Sequence, residues 1–162
     1  MADEATSNAV GRPVASLSRR YHFSASHRLH TAAYDAERNR TVYGKCNNPY
    51  GHGHNYVVQV TLRGPVDPET GMVCNLGDLD AFARTNLLDR FDHTNLNTME
   101  CFADTVSTTE NLAIEVHRIF QQFPHARLDR VHVEETGNNS FDYTGSDSSN
   151  GTSARMPASG TL

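Results

Sequence analysis

The sequence predicts an α+β domain, an antiparallel sheet with two helices on one face. Three observations lead there. Segments that alternate apolar and polar residues cluster before and after a central region instead of interleaving with helices. That central region carries two stretches of helical spacing, each opened by capping residues. The chain of 162 residues is long enough to bury one core.

RRYHFSASHR (19–28) alternates, with Tyr21, Phe23, Ala25 and His27 on one face and His22, Ser24 and Ser26 on the other, as a strand does. HNYVVQVTLRG (54–64) repeats the pattern, with His54, Tyr56, Val58, Val60 and Leu62 sharing a face. GPVDPETG (64–71) is rich in turn formers, and MVCNL (72–76) reads as a short returning strand. A helix opens near Asn75, three residues before Asp78, and keeps Leu79, Phe82, Ala83 and Leu87 in register to about Asp89. A second opens on the capping box of Ser107 and Glu110, carries an apolar stripe of Leu112, Val116, Ile119, Phe120 and Phe123, and stops at Pro124. RLDRVHVEET (127–136) returns to period two with Val131, Val133 and Glu135 on one face, and SFDYT (140–144) closes the domain. Residues 1–18 and 145–162 are small, polar and aperiodic and read as disordered tails around a folded part of 19–144. Open sheet edges make oligomerisation by edge pairing a reasonable expectation.

Composition narrows the function. The formal charge is −5, without a Lys/Arg-rich block, which argues against nucleic acid or an anionic membrane as the main partner. No apolar run approaches the length of a membrane span. The N-terminus lacks an apolar segment after a basic start, so a cytoplasmic chain with reduced thiols is expected, and three irregularly spaced cysteines form no disulfide framework. The sequons at Asn39, Asn138 and Asn150 then have no use.

The chemistry concentrates in KCNNPYGHGHNY (45–56). In a strand, residues two apart point the same way, so His52 and His54 project together, with Gly51 and Gly53 leaving room for an approaching group. With His27 on the apolar side of a neighbouring strand they make a possible three-imidazole zinc site, which leaves a fourth position open. A lone H-x-H is a weak signal, and His27 alone suits a core histidine equally well. Cys46, in a loop beside Lys45, suits a base or nucleophile, a fourth metal ligand, or an ordinary cysteine. Asp92 and His93 are adjacent after the first helix; they could tune a third group, or be a capping Asp and a surface His. Glu135 shares its face with two valines and therefore needs a partner, either the N–H groups of a ligand or an internal Lys or Arg. Glu110 is explained by the capping box.

Taken together, FSASHRL, CNNPYGHGHNY, GMVCNLGDL, DHTNLN, STTENLA and VEETGNN, in this order and spacing, resemble the 6-pyruvoyl-tetrahydropterin synthase family across about 19–144. The resemblance implies the tunnelling fold, with a four-stranded antiparallel sheet and two helices per subunit, trimers closing a barrel, and two trimers stacked as a homohexamer. It implies Zn2+ on His27, His52 and His54, one ion per subunit, and Cys46 as catalytic base working with Asp92 and His93, some groups coming from neighbouring chains. Glu135 would anchor the pterin ring, with Thr108, Thr109 and Glu110 nearby. The implied reaction converts 7,8-dihydroneopterin triphosphate to 6-pyruvoyl-tetrahydropterin with loss of triphosphate, and Mg2+ can accompany such a substrate. Lys45, Arg28 and Arg19 or Arg20 are candidates for the triphosphate. Five residues separate Cys46 from His52, more than in the related 6-carboxy-tetrahydropterin synthase, the rival reading. A non-catalytic zinc or pterin-binding module is the other.

Overall fold

The computed structural model describes residues 11–146. Two long strands form its spine. β1 (Val14–His27) and β2 (His52–Pro65) run antiparallel in unbroken register, from Val14 opposite Pro65 to His27 opposite His52. β4 (Arg127–Glu134) pairs antiparallel with β2, and β5 (Ser140–Tyr143) with β4. Alternation sends Tyr21, Phe23, Ala25, Tyr56, Val58, Val60, Leu62, Val131 and Val133 to one buried face. There they meet Leu79, Ala83, Leu87 and Phe91 from one helical segment and Leu112, Val116 and Phe120 from another, so both helices cover a single side of the sheet.

The first helical segment runs as α2 (Leu76–Ala83), a π-helical stretch (Arg84–Leu88) and α3 (Asp89–Phe91). Its core residues recur every four positions, slightly longer than the 3.6 of an α-helix. The wider π turn takes up that drift and keeps Leu87 and Phe91 on the core. Asn75 caps the start, its side chain accepting from Gly77 N–H at 2.7 Å. α4 (Thr109–Phe120) begins one residue later than the S-x-x-E pattern predicts. Thr108, not Ser107, is the cap, accepting from Asn111 N–H at 3.3 Å, because the Ser107 carbonyl is engaged with His27.

Several expectations need correction. The sheet has five strands, ordered β3-β1-β2-β4-β5, not four. The extra one is β3 (Thr94–Asn95), two residues parallel to β1 and too short to leave a periodic trace. MVCNL is not a strand: Met72 C=O closes the preceding turn with Asp67 N–H at 2.9 Å, and the chain then bends into the Asn75 cap. β1 starts at Val14, five residues before the expected Arg19, held by the ladder to β2 and a Ser18–Thr61 hydroxyl contact of 2.9 Å. Of the two expected tails, residues 1–10 and 147–162 lie outside the described residues.

α1 (Ala36–Tyr43) carries no apolar stripe, and periodicity gives no sign of it. Its one buried residue is Asn39, whose side-chain amide donates to the carbonyls of Thr31, Tyr34 and Asp35 and whose oxygen accepts from Thr31 N–H. A polar staple thus does what an apolar face usually does, and it hides the Asn39 sequon completely.

Candidate metal and catalytic site

The β1–β2 register places His27 directly across from His52, and His54 two residues further along β2 on the same face. One ligand nitrogen from each of the three lies within 4.8 Å of the others. His27 is almost fully buried, and its Nδ1–H donates to the Ser107 carbonyl at 2.7 Å. That bond fixes the tautomer and turns the Nε2 lone pair inward, 3.1 Å from His52 Nε2. The Nδ1 of His52 and the Nε2 of His54 are buried with no hydrogen-bond partner among the described residues. Buried polar atoms are ordinarily satisfied, so the orphaned His54 Nε2, in a cluster where the Nε2 atoms of His27 and His52 already lie 3.1 Å apart, fits a cation between the rings. Burial, above all, lowers the pKa of His27 and of His54, favouring the neutral imidazoles that bind metal.

Gly51 makes the approach possible. It sits at φ +70°, and a Cβ there would lie 2.9 Å from the His27 carbonyl oxygen. Gly53 is not needed in the same way, because its Cβ would meet the Ala25 oxygen at an ordinary 3.5 Å.

Glu135 stands at the edge of the cluster, with Oε1 at 3.7 Å from His54 Nε2 and 3.9 Å from His27 Nε2. Its partners are neither Lys nor Arg: Thr109 Oγ1 donates at 2.6 Å and Asn139 Nδ2 at 3.4 Å. Burial opposes its ionisation most, yet these two bonds and the nearby histidines hold its carboxyl below the usual range. Thr108 is occupied as the helix cap, and Glu110 is exposed in the first turn.

Periodicity also gave Tyr56 no role beyond the core, although it shares a face with His54. Its ring lies edge-on to His54 at 5.5 Å, and its buried hydroxyl has no partner within hydrogen-bond geometry among the described residues. Burial raises its pKa most, with Glu135 and Cys46 adding to the shift. Cys46 therefore lies near this pocket. It is a free, half-buried thiol in a 3-10 turn (Gly44–Asn47), and its carbonyl accepts from Leu29 N–H at 2.9 Å, two residues past His27.

Asp92 and His93 lie elsewhere. They bond each other, His93 Nδ1 to Asp92 Oδ2 at 2.9 Å, and clasp the backbone of Ser24 on either side, at 2.8 Å through the Asp92 carboxylate and 2.6 Å through His93 N–H. His93 has φ +57° and is largely exposed. It borders a cavity of about 510 Å³ with Ser24, Ser26, Asn55 and Asn95, which touches His54 but not His27, His52, Cys46 or Glu135. Within one chain the pair does not join the thiol.

A family model described as 6-pyruvoyl tetrahydropterin synthase matches residues 16–146. The chain is 48% identical over 133 residues to the 6-pyruvoyl tetrahydrobiopterin synthase of Homo sapiens, covering 81% of this chain and 92% of that protein. It is 46% identical over 138 residues to that of Drosophila melanogaster, covering 83% and 82% respectively. Its fold superposes on the Caenorhabditis elegans 6-pyruvoyl tetrahydropterin synthase with a TM-score of 0.79 and 43% identity, over 83% of this chain and 98% of that one.

Two outcomes follow from this geometry. Gly51→Ala pushes the His52 turn away from β1; metal content should fall well below that of the parent protein while far-ultraviolet circular dichroism stays the same. The buried histidines also make the metal-free chain acid-sensitive. His27, His54 and His117 all have pKa values lowered by burial. The unfolded chain therefore takes up protons first as pH falls below about 6.5. Urea midpoints of the metal-free chain should hold above that value and decline below it.

Proposed function

This chain belongs to the 6-pyruvoyl tetrahydropterin synthase family, and on that premise we propose that it converts 7,8-dihydroneopterin triphosphate to 6-pyruvoyl-tetrahydropterin with loss of triphosphate. It is a lyase of tetrahydrobiopterin biosynthesis. The observation that carries the reading is the three-histidine cluster with its orphaned nitrogens, flanked by a half-buried carboxylate and a free thiol.

His27, His52 and His54 are the residues to hold the metal, and zinc is the ion we assign, since three neutral imidazoles suit it and leave a position open for substrate. When bound there, it supplies a Lewis acid that polarises hydroxyls on the substrate side chain and acidifies the adjoining C–H. Glu135 accepts hydrogen bonds from the N–H groups of the pterin ring, and Thr109 holds that carboxylate in place. Cys46 removes the C–H proton and returns it to the ring. The ring is thereby reduced at the expense of the side chain, without an external reductant, and a second abstraction expels triphosphate.

The Asp92–His93 pair suits a proton relay for the thiol, but its placement beyond the reach of its own Cys46 calls for a second copy of the chain. A homohexamer of two stacked trimers, each a closed barrel with sites between subunits, would supply one; the exposed His93 and the outer edges of β3 and β5, unpaired among the described residues, support that reading. Three free thiols suit a reducing, cytoplasmic setting.

Cys46→Ala separates metal binding from proton transfer. Metal content should match the parent, while triphosphate release from 7,8-dihydroneopterin triphosphate falls by about 10²–10⁴-fold, the usual worth of a general base. Undiminished release, or a carboxy product from the parent enzyme in place of the pyruvoyl one, contradicts the reading.

A further inference from the structure

Residues 28–51 join β1 to β2 as an arm beyond the ends of both strands. Its base is closed by the Leu29–Cys46 backbone bond, and its tip is a braced turn. There Tyr50 N–H donates to Asn48 Oδ1 at 3.1 Å and Gly51 N–H to the Asn48 carbonyl at 2.9 Å, with Pro49 fixing one backbone angle between them. On this turn Tyr50 stands 96% exposed. An aromatic ring held in water by a rigid turn has little entropy left to lose, which is what an interface anchor needs.

The cavity bordered by Ser24, Ser26, Asn55, His93 and Asn95, about 510 Å³, has room for such a ring, and its hydroxyls and amides suit a phenol O–H. At its edge the left-handed backbone of His93, φ +57°, holds that side chain 82% exposed, bonded to the Asp92 carboxylate. Charge favours the same match. From Arg38 to Tyr50 the arm carries Arg38, Arg40 and Lys45 and no acid, and Arg28, Arg40 and Lys45 form no ion pair among the described residues. No Lys or Arg lines the cavity, and Asp92 stands beside it. A basic arm and an acid-flanked cavity attract one another.

We propose that Tyr50 of one copy of the chain seats in this cavity of a second copy, and that the seat carries the second copy's Asp92–His93 pair to Cys46. Cys46 is four residues before Tyr50, at most about 14 Å of extended backbone, and the 3-10 turn (Gly44–Asn47) shortens that reach. A ring seated beside His93 therefore brings the thiol to the pair that its own chain holds away from it. The inference rests on the proposed shared site, but the docking itself can be read without turnover.

Sedimentation velocity compares the metal-loaded full chain with its Tyr50→Ala, Tyr50→Phe and Asn55→Trp variants. Loss of the anchor in Tyr50→Ala, or filling of its seat in Asn55→Trp, should weaken self-association about tenfold or more. Tyr50→Phe keeps the ring and should stay close to the parent. Zinc content and far-ultraviolet circular dichroism should be equal in all four, since Tyr50 and Asn55 are both exposed. For turnover, Cys46→Ala and His93→Ala chains are refolded together. Each alone lacks one group, and random mixing should complete about a quarter of the sites; adding Tyr50→Ala to the His93→Ala chain should abolish that recovery. A monomeric parent, unchanged sedimentation of Tyr50→Ala, or recovery that survives Tyr50→Ala overturns the proposal. Smaller species in Tyr50→Ala and Asn55→Trp, with no triphosphate released even by the parent, sink the proposed reaction and leave the docking surface standing.

Discussion

The pairing of His27 with His52 at the end of the β1–β2 ladder is the constraint on which the rest of this structure depends. A slip of one residue would turn every side chain of a strand to the other face. Here that would expose Phe23 and Tyr56 and scatter the three imidazoles at once. The same alternation therefore builds the core and the metal site, so the apolar residues that fix the register also fix the ligands. Phe23 packs on Tyr56 at 5.4 Å and on Phe91 at 5.8 Å, joining the strands to the helical layer immediately behind the histidines.

The entry to α4 ties that layer to the chemistry through three consecutive residues. The Ser107 carbonyl orients His27, the Thr108 hydroxyl caps the helix, and the Thr109 hydroxyl donates to Glu135. Helix position, ring orientation and carboxylate position are thereby set by one short segment. Burial completes the arrangement. It keeps His27 and His54 neutral, while hydrogen bonds keep the half-buried Glu135 ionised, so neutral imidazole nitrogens and an anionic carboxylate stand within 4 Å. The thiol is held apart from this balance by its own anchor, the Cys46–Leu29 backbone bond and the Asn47 amide donating to the Leu29 carbonyl at 2.7 Å.

Much of this was legible in the sequence because the sheet has one buried face. Period two reveals such strands, and it placed His27, His52, His54 and Glu135 on the inward side. What escaped it had no apolar signature. α1 is stapled by one buried asparagine, β3 is two residues long, and the first residues of β1, Val14–Ser18, bury no side chain fully and keep no strict apolar–polar alternation. Ser107 and Thr108 offer adjacent hydroxyls, and only the demand of His27 for the Ser107 carbonyl decides which of them caps the helix. The adjacency of Asp92 and His93 said nothing of where they would lie; the turn after α3 carries them to the outer side of β1, away from Cys46. The free cations were equally indistinct in one dimension, since Arg19 and Arg28 differ only in whether a carboxylate folds back onto them.

The central claim is that one loop carries two separate functions, with the histidines holding the metal and the cysteine left free of it. X-ray absorption at the zinc edge of the zinc-loaded protein tests that division directly. Nitrogen or oxygen scatterers alone, at about 2.0–2.1 Å, are the predicted first shell. A sulfur scatterer at about 2.3 Å, lost in Cys46→Ala, would make the thiol a ligand and contradict the account.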